Sequence, residues 1–232
     1  MRVVRGRAGT VAADRQRTGA MLARTAETGD PAVRVWTPPR HVAFGRREAA
    51  TSGYDRAVSV ARDRGFPTVQ RRVGGRAVAH TGSTVAFARA VPVDDARTGL
   101  TARYEATTAR LRRALAAVGV DTTVGEPAGS FCPGSHSLQC DGKVAGVAQR
   151  VRGDAALVAG CVVVDDREAF AGVLAPVYAA LGQPFDPESV GSVAAVGGPA
   201  ETGAVGTAIE GMLVGDADPT VVVVETEAET EA

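Results

Sequence analysis

Residues 137–164, SLQCDGKVAGVAQRVRGDAALVAGCVVV, contain the strongest structural signals in the chain. Ser137–Cys140 and Lys143–Val151 flank the pair Asp141-Gly142, a strong signature of a two-residue β-hairpin turn. A second turn at Arg152-Gly153-Asp154 leads into Ala155–Val164, a nearly continuous apolar run that is typical of a buried strand. This stretch therefore predicts three consecutive strands joined by tight turns.

Helical and strand patterns extend outward from this stretch in both directions. Periodic apolar residues and capping signals predict helices over Ala13–Thr25, Gly53–Arg64, Leu100–Val118, Asp165–Leu181 and Thr202–Leu213. Short apolar runs bounded by Gly and Pro predict further strands over Ala32–Trp36, His41–Phe44, Thr68–Arg72, Ala77–Ala79, Ser83–Val91 and Thr122–Val124. These elements predict an α+β fold in which a mixed, mostly antiparallel sheet carries helices on one side.

Length and charge suggest one domain followed by a tail. The chain has 232 residues, which is a prior for a single domain. From Asp216 to Ala232 there are six acidic residues and no basic one. We therefore predict a catalytic domain over residues 1–215 and an acidic, disordered tail over residues 216–232.

Other compositional features bear on compartment and partners. No apolar run approaches the ~20 residues that span a bilayer, and no secretory signal is visible at the start, so a cytoplasmic protein is expected. The three cysteines have no zinc-type spacing, which argues against a disulfide framework or a metal site. There is no Walker A or Rossmann motif. We expect neither nucleic acid nor a membrane among the partners.

Lys143 is the only lysine among 26 basic residues, the other 25 being arginine. A general bias toward arginine explains most of this pattern, but the same bias should also have removed Lys143. Arginine cannot replace lysine where a compact charge must contact one atom. The composition therefore draws attention to this one position.

Two glycine-rich segments carry the candidate chemistry. In the first, Gln70 to Gly82, a strand delivers Arg71 and Arg72 into the pair Gly74-Gly75. Glycine allows close approach of backbone to a ligand, and arginine suits carboxylate or phosphate. On motif chemistry alone, a ligand loop and a solvated hairpin loop explain this segment equally well.

The second segment, Gly129 to Ser135, places Cys132 among small polar residues. Free cysteine is more often a buried packing residue, but such a loop would not bury it well. A nearby ammonium or imidazole, such as Lys143 or His80, would favour the thiolate. Cys140 and Cys161 lie within predicted strands, and we assign both to packing.

Together these segments resemble the lipoate–protein ligase and octanoyltransferase family, over about Val33 to Leu181. Arg71 to His80 (RRVGGRAVAH) is similar to the loop that wraps the acyl chain in that family, and Asp141 to Arg150 (DGKVAGVAQR) looks like the segment with its essential lysine. The resemblance implies a biotin/lipoate ligase-like catalytic domain. It also implies an acyl-binding set made of Arg71, Arg72, Gly74, Gly75, Ala77, Val78, His80 and Gly146.

Within the family, the sequence Gly-Ser-Phe-Cys-Pro-Gly around Cys132 most resembles the branch that transfers octanoyl groups from the glycine-cleavage H protein to lipoyl domains. This resemblance implies that Cys132 is the nucleophile and holds the acyl group as a thioester. It implies that Lys143 binds the acyl carbonyl oxygen, that H protein and dehydrogenase E2 subunits are partners, and that transfer requires no cofactor. Cys161 does not match the nucleophile of the other octanoyltransferase branch.

The sequence also departs from the family pattern. Arg76 stands where many members have a third glycine, and Thr81 replaces a common aspartate. By comparison with the family, we expect these changes to weaken ATP and magnesium binding more than acyl binding, and the chain ends before the accessory C-terminal domain of many ligases. Two alternatives stay open. One is an ATP- and magnesium-dependent lipoate ligase that acts through lipoyl-adenylate, and the other is a degenerate member that only binds an acyl ligand or carrier.

Overall fold

The computed structural model describes residues 1–71 and 75–224. Within them the chain forms five α-helices, α1 (Val11–Thr28), α2 (Tyr54–Asp63), α3 (Leu100–Ala117), α4 (Arg167–Ala180) and α5 (Thr202–Val214). The strands are β1 (Arg2–Arg5), β2 (Ala32–Trp36), β3 (His41–Phe44), β4 (Thr68–Gln70), β5 (Val78–His80), β6 (Thr84–Pro92), β7 (Thr123–Val124), β8 (Leu138–Gln139), β9 (Lys143–Arg152), β10 (Ala155–Val163) and β11 (Thr220–Val223).

The hairpin predicted from Asp141-Gly142 is confirmed. Both turn residues have positive φ, 47° for Asp141 and 106° for Gly142, as a type I′ turn requires. Strand β8 pairs antiparallel with β9, and β9 pairs antiparallel with β10 across a second turn in which Gly153 has a φ of 56°. The turn chemistry thus fixes the start of β9, and with it the position of Lys143.

The strands form two sheets. The larger has the order β11-β1-β2-β6-β10-β9-β8-β7, and the smaller has the order β4-β3-β5. In the larger sheet only the pairs β11–β1 and β1–β2 are parallel. The predicted class, α+β with a mixed and mostly antiparallel sheet, is confirmed.

The helices lie on both faces of the large sheet, so the prediction of helices on one side is wrong. Leu22 of α1 packs in a cluster with Ala32, whereas Leu111 of α3 and Ile209 of α5 pack in a cluster with Val33. Neighbouring residues of a strand point to opposite faces, so these clusters lie on opposite sides. The central strands are apolar on both faces, so helices must pack against both faces to bury them.

Strands β1 and β11 were not predicted. Residues Thr220–Val223 pair in parallel with Arg2–Arg5, and Val224 is buried. The prediction of a tail from residue 216 is therefore wrong for Thr220–Val223, because a β-branched run supplies strand propensity that outweighs the neighbouring acidic residues. Residues 225–232, the end of the predicted tail, lie outside the described residues.

A third core cluster joins the small sheet to α2 and α4. Its largest members are the aromatic residues Phe44, Phe66, Phe131, Phe170 and Tyr178. Phe131 immediately precedes Cys132, so this core supports the loop that carries the candidate nucleophile. In the described part of the chain, no helix has the length and apolar character needed to cross a membrane.

Candidate active site

Lys143, at the start of β9, is fully buried and held by four acceptors. Its Nζ donates to Glu126 Oε1 and Oε2 at 3.0 and 3.1 Å, to the Phe131 carbonyl at 2.9 Å and to the Cys132 carbonyl at 3.0 Å. The ammonium also lies 4.7 Å from the centre of the Phe131 ring. Because an ammonium has three N–H donors, all of them are engaged in this arrangement.

Cys132 lies in the loop between β7 and β8, in a conformation that is unusual for a residue with a side chain. Its φ is 40°, in the left-handed region, which costs a non-glycine residue about 1 kcal/mol or more. The amide of Cys132 donates to the Tyr178 hydroxyl at 2.8 Å, and its carbonyl accepts from Lys143. Hydrogen bonds on both sides of the Cα thus hold the backbone in this conformation.

The first glycine-rich segment lies against the Cys132 thiol. A Cβ placed on Gly75 would stand 2.9 Å from Cys132 Sγ and 3.3 Å from a guanidinium nitrogen of Arg71. Gly75 also has a φ of 89°, which only glycine adopts at no cost. The two segments selected from the sequence therefore meet at the thiol, and Gly75 permits that approach.

Tyr178 and Glu48 fix the backbone beyond Gly75. The Tyr178 hydroxyl, which accepts from Cys132, donates to the Ala77 carbonyl at 2.9 Å. The buried Glu48 carboxylate accepts from the Ala77 amide at 2.9 Å and from the Gly45 amide at 2.8 Å. Both backbone polar groups of Ala77 are therefore hydrogen-bonded. The Tyr178 hydroxyl links the loop that carries Cys132 to the first glycine-rich segment.

Glu126 is the counterion of Lys143. Burial by itself raises the pKa of Glu126, but hydrogen bonds from Ser130, Ser137 and the Gly134 amide, together with the charge of Lys143, outweigh it and bring the pKa below its usual value. The carboxylate is therefore ionised at neutral pH. Sequence analysis missed Glu126, Glu48 and Tyr178, because each is defined by tertiary contacts rather than by motif spacing.

The remaining predicted acyl-binding residues are placed as follows. Val78 and His80 lie on β5, and Gly146 lies on β9 opposite Cys161. A Cβ on Gly146 would be 3.5 Å from Lys143 Cε, so this glycine lies beside the lysine stem. Arg71 donates to the Arg76 carbonyl within its own loop. Arg72 and Gly74 lie outside the described residues.

His80 has partners other than Cys132 in this structure. Its ring stacks on His41 with centroids 4.5 Å apart, and its Nδ1 is 3.0 Å from the Thr84 hydroxyl. Burial, followed by the charges of His41 and Arg71, holds the pKa of His80 well below its usual value. A neutral imidazole of this kind supplies no positive charge, so the cations near Cys132 are Lys143, at its carbonyl, and Arg71, beside Gly75.

The other two cysteines have different environments. Cys161 is buried in β10, and burial raises its pKa to about 11 despite the nearby charge of Lys143. Cys140 packs against the core beneath α3 and α5. Among residues 1–71 and 75–224, no group of three or more His, Cys, Asp or Glu side chains is arranged to hold a metal ion.

Comparisons with known proteins agree on a family and a fold. Residues 16–200 match the family model of the lipoyl protein ligase A/B catalytic domain. The chain is 34% identical over 130 residues to octanoyl-[GcvH]:protein N-octanoyltransferase of Geobacillus kaustophilus, covering 55% of this chain and 46% of that one. It is 32% identical over 157 residues to the enzyme of the same name from Kyrpidia tusciae, covering 67% and 54%. The chain thus spans about half the length of the curated relatives it matches.

Solved structures show the same fold at lower sequence identity. A lipoate-protein ligase A bound with ATP superposes with a TM-score of 0.75 and 18% identity, covering 95% of this chain and 88% of that one. A putative lipoate protein ligase from T. acidophilum with bound lipoic acid gives a TM-score of 0.71 and 18% identity, covering 97% and 89%. These likenesses confirm the predicted biotin/lipoate ligase-like fold.

Proposed function

This chain belongs to the lipoyl protein ligase A/B catalytic domain family, and from that premise we propose that it is an acyltransferase that moves octanoyl or lipoyl groups onto a lysine of a lipoyl domain. The names of its relatives support octanoyl as the group and GcvH, the glycine-cleavage H protein, as a partner. Lipoyl domains of dehydrogenase E2 subunits are the proposed acceptors, and the cytoplasm is the proposed location.

The proposed reaction has two balanced steps through an acyl-enzyme. Cys132 Sγ attacks the acyl carbonyl, the bond from the acyl carbon to the donor's lysine nitrogen breaks, and the thiol proton ends on the departing amine. The acceptor lysine then attacks the thioester, the C–S bond breaks, and one amine proton returns to the sulfur. The products are the acylated acceptor and free Cys132.

One observation carries this proposal: the buried ammonium of Lys143 lies 3.0 Å from the carbonyl oxygen of Cys132 itself. A charged donor beside the nucleophile is the arrangement that stabilises a developing oxyanion, and such donors contribute about 3 kcal/mol. The Cys132 amide already donates to Tyr178, and we assign the oxyanion role to Lys143. Because all Nζ donors are engaged, the acyl oxygen would replace one of the two backbone carbonyls.

The ligase alternative assigns Lys143 to the lipoyl carbonyl and the adenylate phosphate, with Arg71 or Arg72 binding phosphate, and it requires ATP and magnesium. Arg71 lies beside Gly75 and so borders the same site, but its guanidinium also donates to the Arg76 carbonyl. Transfer requires no cofactor. The names of the relatives support transfer, so we place it first, and the two functions differ in their need for ATP.

The test is incubation of the pure protein with octanoylated H protein in the absence of ATP, followed by intact mass measurement. We expect an octanoyl adduct that hydroxylamine removes and that is absent in Cys132→Ala but present in Cys140→Ala. Formation of lipoyl-adenylate from lipoate and ATP, without the adduct, would establish the ligase. Tight acyl-ligand binding with no turnover under either condition would indicate a binding protein.

A further inference from the structure

Lys143 has a single carboxylate partner within the described residues, Glu126, and this carboxylate also holds the loop that carries Cys132. We propose that Glu126 is a positioning residue for acyl transfer, which keeps the Lys143 ammonium charged and fixes the backbone on both sides of the nucleophile. The inference rests on the proposed transferase function. It assigns Glu126 no contact with the reacting atoms.

The buried charge of Lys143 depends on a counterion. The Lys143 side chain is 0% exposed, and an unpaired buried ammonium costs several kcal/mol, so such a group favours its neutral form. The two carboxylate oxygens of Glu126 stand at 3.0 and 3.1 Å from Nζ, whereas the other two acceptors are neutral carbonyls. Glu126 thus compensates the positive charge of Lys143. An oxyanion formed during acyl transfer would later require that same charge.

Glu126 also holds the loop that carries Cys132. The Glu126 carboxylate accepts from the Ser130 hydroxyl, two residues before Cys132, and from the Gly134 amide at 3.0 Å, two residues after it. Between these points Lys143 holds the carbonyls of Phe131 and Cys132. The loop therefore surrounds the ion pair of Glu126 and Lys143, and the Glu126 carboxylate contacts the loop on both sides of Cys132.

Other titratable and charged groups near Lys143 do not replace this counterion. Cys132 faces it from the loop, and Cys161 faces it from β10, with Arg71 near Cys161. Burial keeps Cys161 protonated, and Arg71 carries a positive charge that disfavours a second cation nearby. Loss of the Glu126 charge would thus leave Lys143 without a carboxylate partner among the described residues.

Because Lys143 is the only lysine, its charge is directly measurable. Protein grown with lysine labelled with ¹³C at the ε carbon gives one side-chain resonance, which reports protonation of Nζ. In Glu126→Gln, which keeps the size of the side chain, we expect this resonance to titrate at a lower pH than in the wild type, because a buried ammonium without its counterion favours the neutral form. Glu126→Asp, which keeps the charge, and Glu105→Gln, on the exposed surface of α3, should retain the wild-type titration.

The second arm measures single-turnover formation of the octanoyl adduct from octanoylated H protein, from pH 7 to the pH values at which the Lys143 resonance of Glu126→Gln titrates. For Glu126→Gln we expect a rate at least about tenfold below the wild type, with a gap that widens across the pH range in which its own Lys143 resonance titrates. Glu126→Asp should be slower by a factor that does not change with pH. Glu105→Gln should match the wild type.

Both arms can overturn the proposal. An unchanged Lys143 titration in Glu126→Gln, or a rate deficit that is constant with pH, would reduce Glu126 to a structural contact of the loop. If Glu126→Gln does not fold, the pH-independent deficit of Glu126→Asp decides the loop role, and a wild-type rate in that variant would overturn it. The wild-type ε-carbon resonance then decides the charge role, and a neutral amine at pH 7.5 would overturn it. Absence of any adduct in the wild type would refute the transferase function instead, and the resonance would still show whether Glu126 holds the charge.

Discussion

Gly75 lies so close to the Cys132 thiol that no space is left between them for a methyl group. Gly75→Ala adds that methyl and places a side chain at a φ of 89°. We expect a loss of about 1–2 kcal/mol in the free energy of unfolding, and acyl transfer at least roughly tenfold slower because the thiol is displaced. Urea denaturation and the rate of adduct formation measure the two effects.

Gly19 provides the matched control. It lies within α1, has no atom within 4 Å of an added Cβ and does not have a positive φ. Gly19→Ala should stabilise the protein by about 0.5–1 kcal/mol, since alanine is the better helix former, and should leave transfer unchanged. Equal transfer rates in the two alanine variants would contradict the contact between the loop and the thiol.

The Tyr178 hydroxyl joins the two site loops through one hydrogen bond to each. Tyr178→Phe leaves the Cys132 amide and the Ala77 carbonyl without their partner, and an unsatisfied buried polar group costs about 1–3 kcal/mol. We expect a loss of stability in that range and slower adduct formation, with the adduct still on Cys132. A variant as stable and as active as the wild type would show that the loops hold their positions without this link.

The site could be predicted from the sequence only in part, and the division has a physical reason. Cys132 and Lys143 stand out by their residue type, since one lies in a Pro/Gly loop and the other is the only lysine. Glu126, Glu48 and Tyr178 are ordinary residues whose role is to satisfy buried polar groups of distant segments. Such partners follow from the tertiary fold, and no spacing in the sequence specifies them.

We expect the stability of the pairing between β3 and β5 to depend on pH. His41 and His80 are opposite each other in register and their rings stack. Burial is the main cause that lowers the pKa of each, so the unfolded chain takes up protons below about pH 6.5 that the folded chain excludes. Stability should therefore be unaffected above this pH and fall below it, by at most about 1.4 kcal/mol per pH unit for each histidine.

The check is urea denaturation between pH 7.5 and 5. His80→Asn keeps a polar atom near Thr84 but cannot titrate, so its stability should decrease less steeply toward acid than that of the wild type. His136→Asn, at a ring that stacks on Tyr104 away from this sheet, controls for the loss of any histidine. The same slope in all three proteins would contradict a role for the stacked pair.

The elements with strong local signals were predicted well. Ala32–Trp36 and His41–Phe44 agree at both ends, because proline or glycine bounds them, and the Asp-Gly turn determines the hairpin of β8 and β9. Strand β1 was missed because Arg2-Val3-Val4-Arg5 is short and has too few residues to show alternation. Its pairing with β11 links opposite ends of the described chain, which a local pattern does not reveal.

At the scale of the whole molecule, residues 216–224 should behave as part of the domain. A chain ended after Gly215 loses the pairing of β11 with β1 and the buried Val224 side chain. We expect it to be less stable by at least about 2 kcal/mol, which is the contribution of one buried valine and the associated strand hydrogen bonds. A chain ended after Val224 is the control, and equal urea midpoints for the two would show that β11 contributes nothing.

The position of β1 between β2 and β11 also has a consequence for synthesis of the protein. β1 can pair with β2 soon after both emerge from the ribosome. Its pairing with β11, in which Arg2 is opposite Thr220, can form only after that distant segment has been synthesised. At about 5–20 residues per second, that delay lasts roughly 10–40 s. During this interval the nascent sheet has an open edge, and neighbouring nascent chains compete with β11 for it.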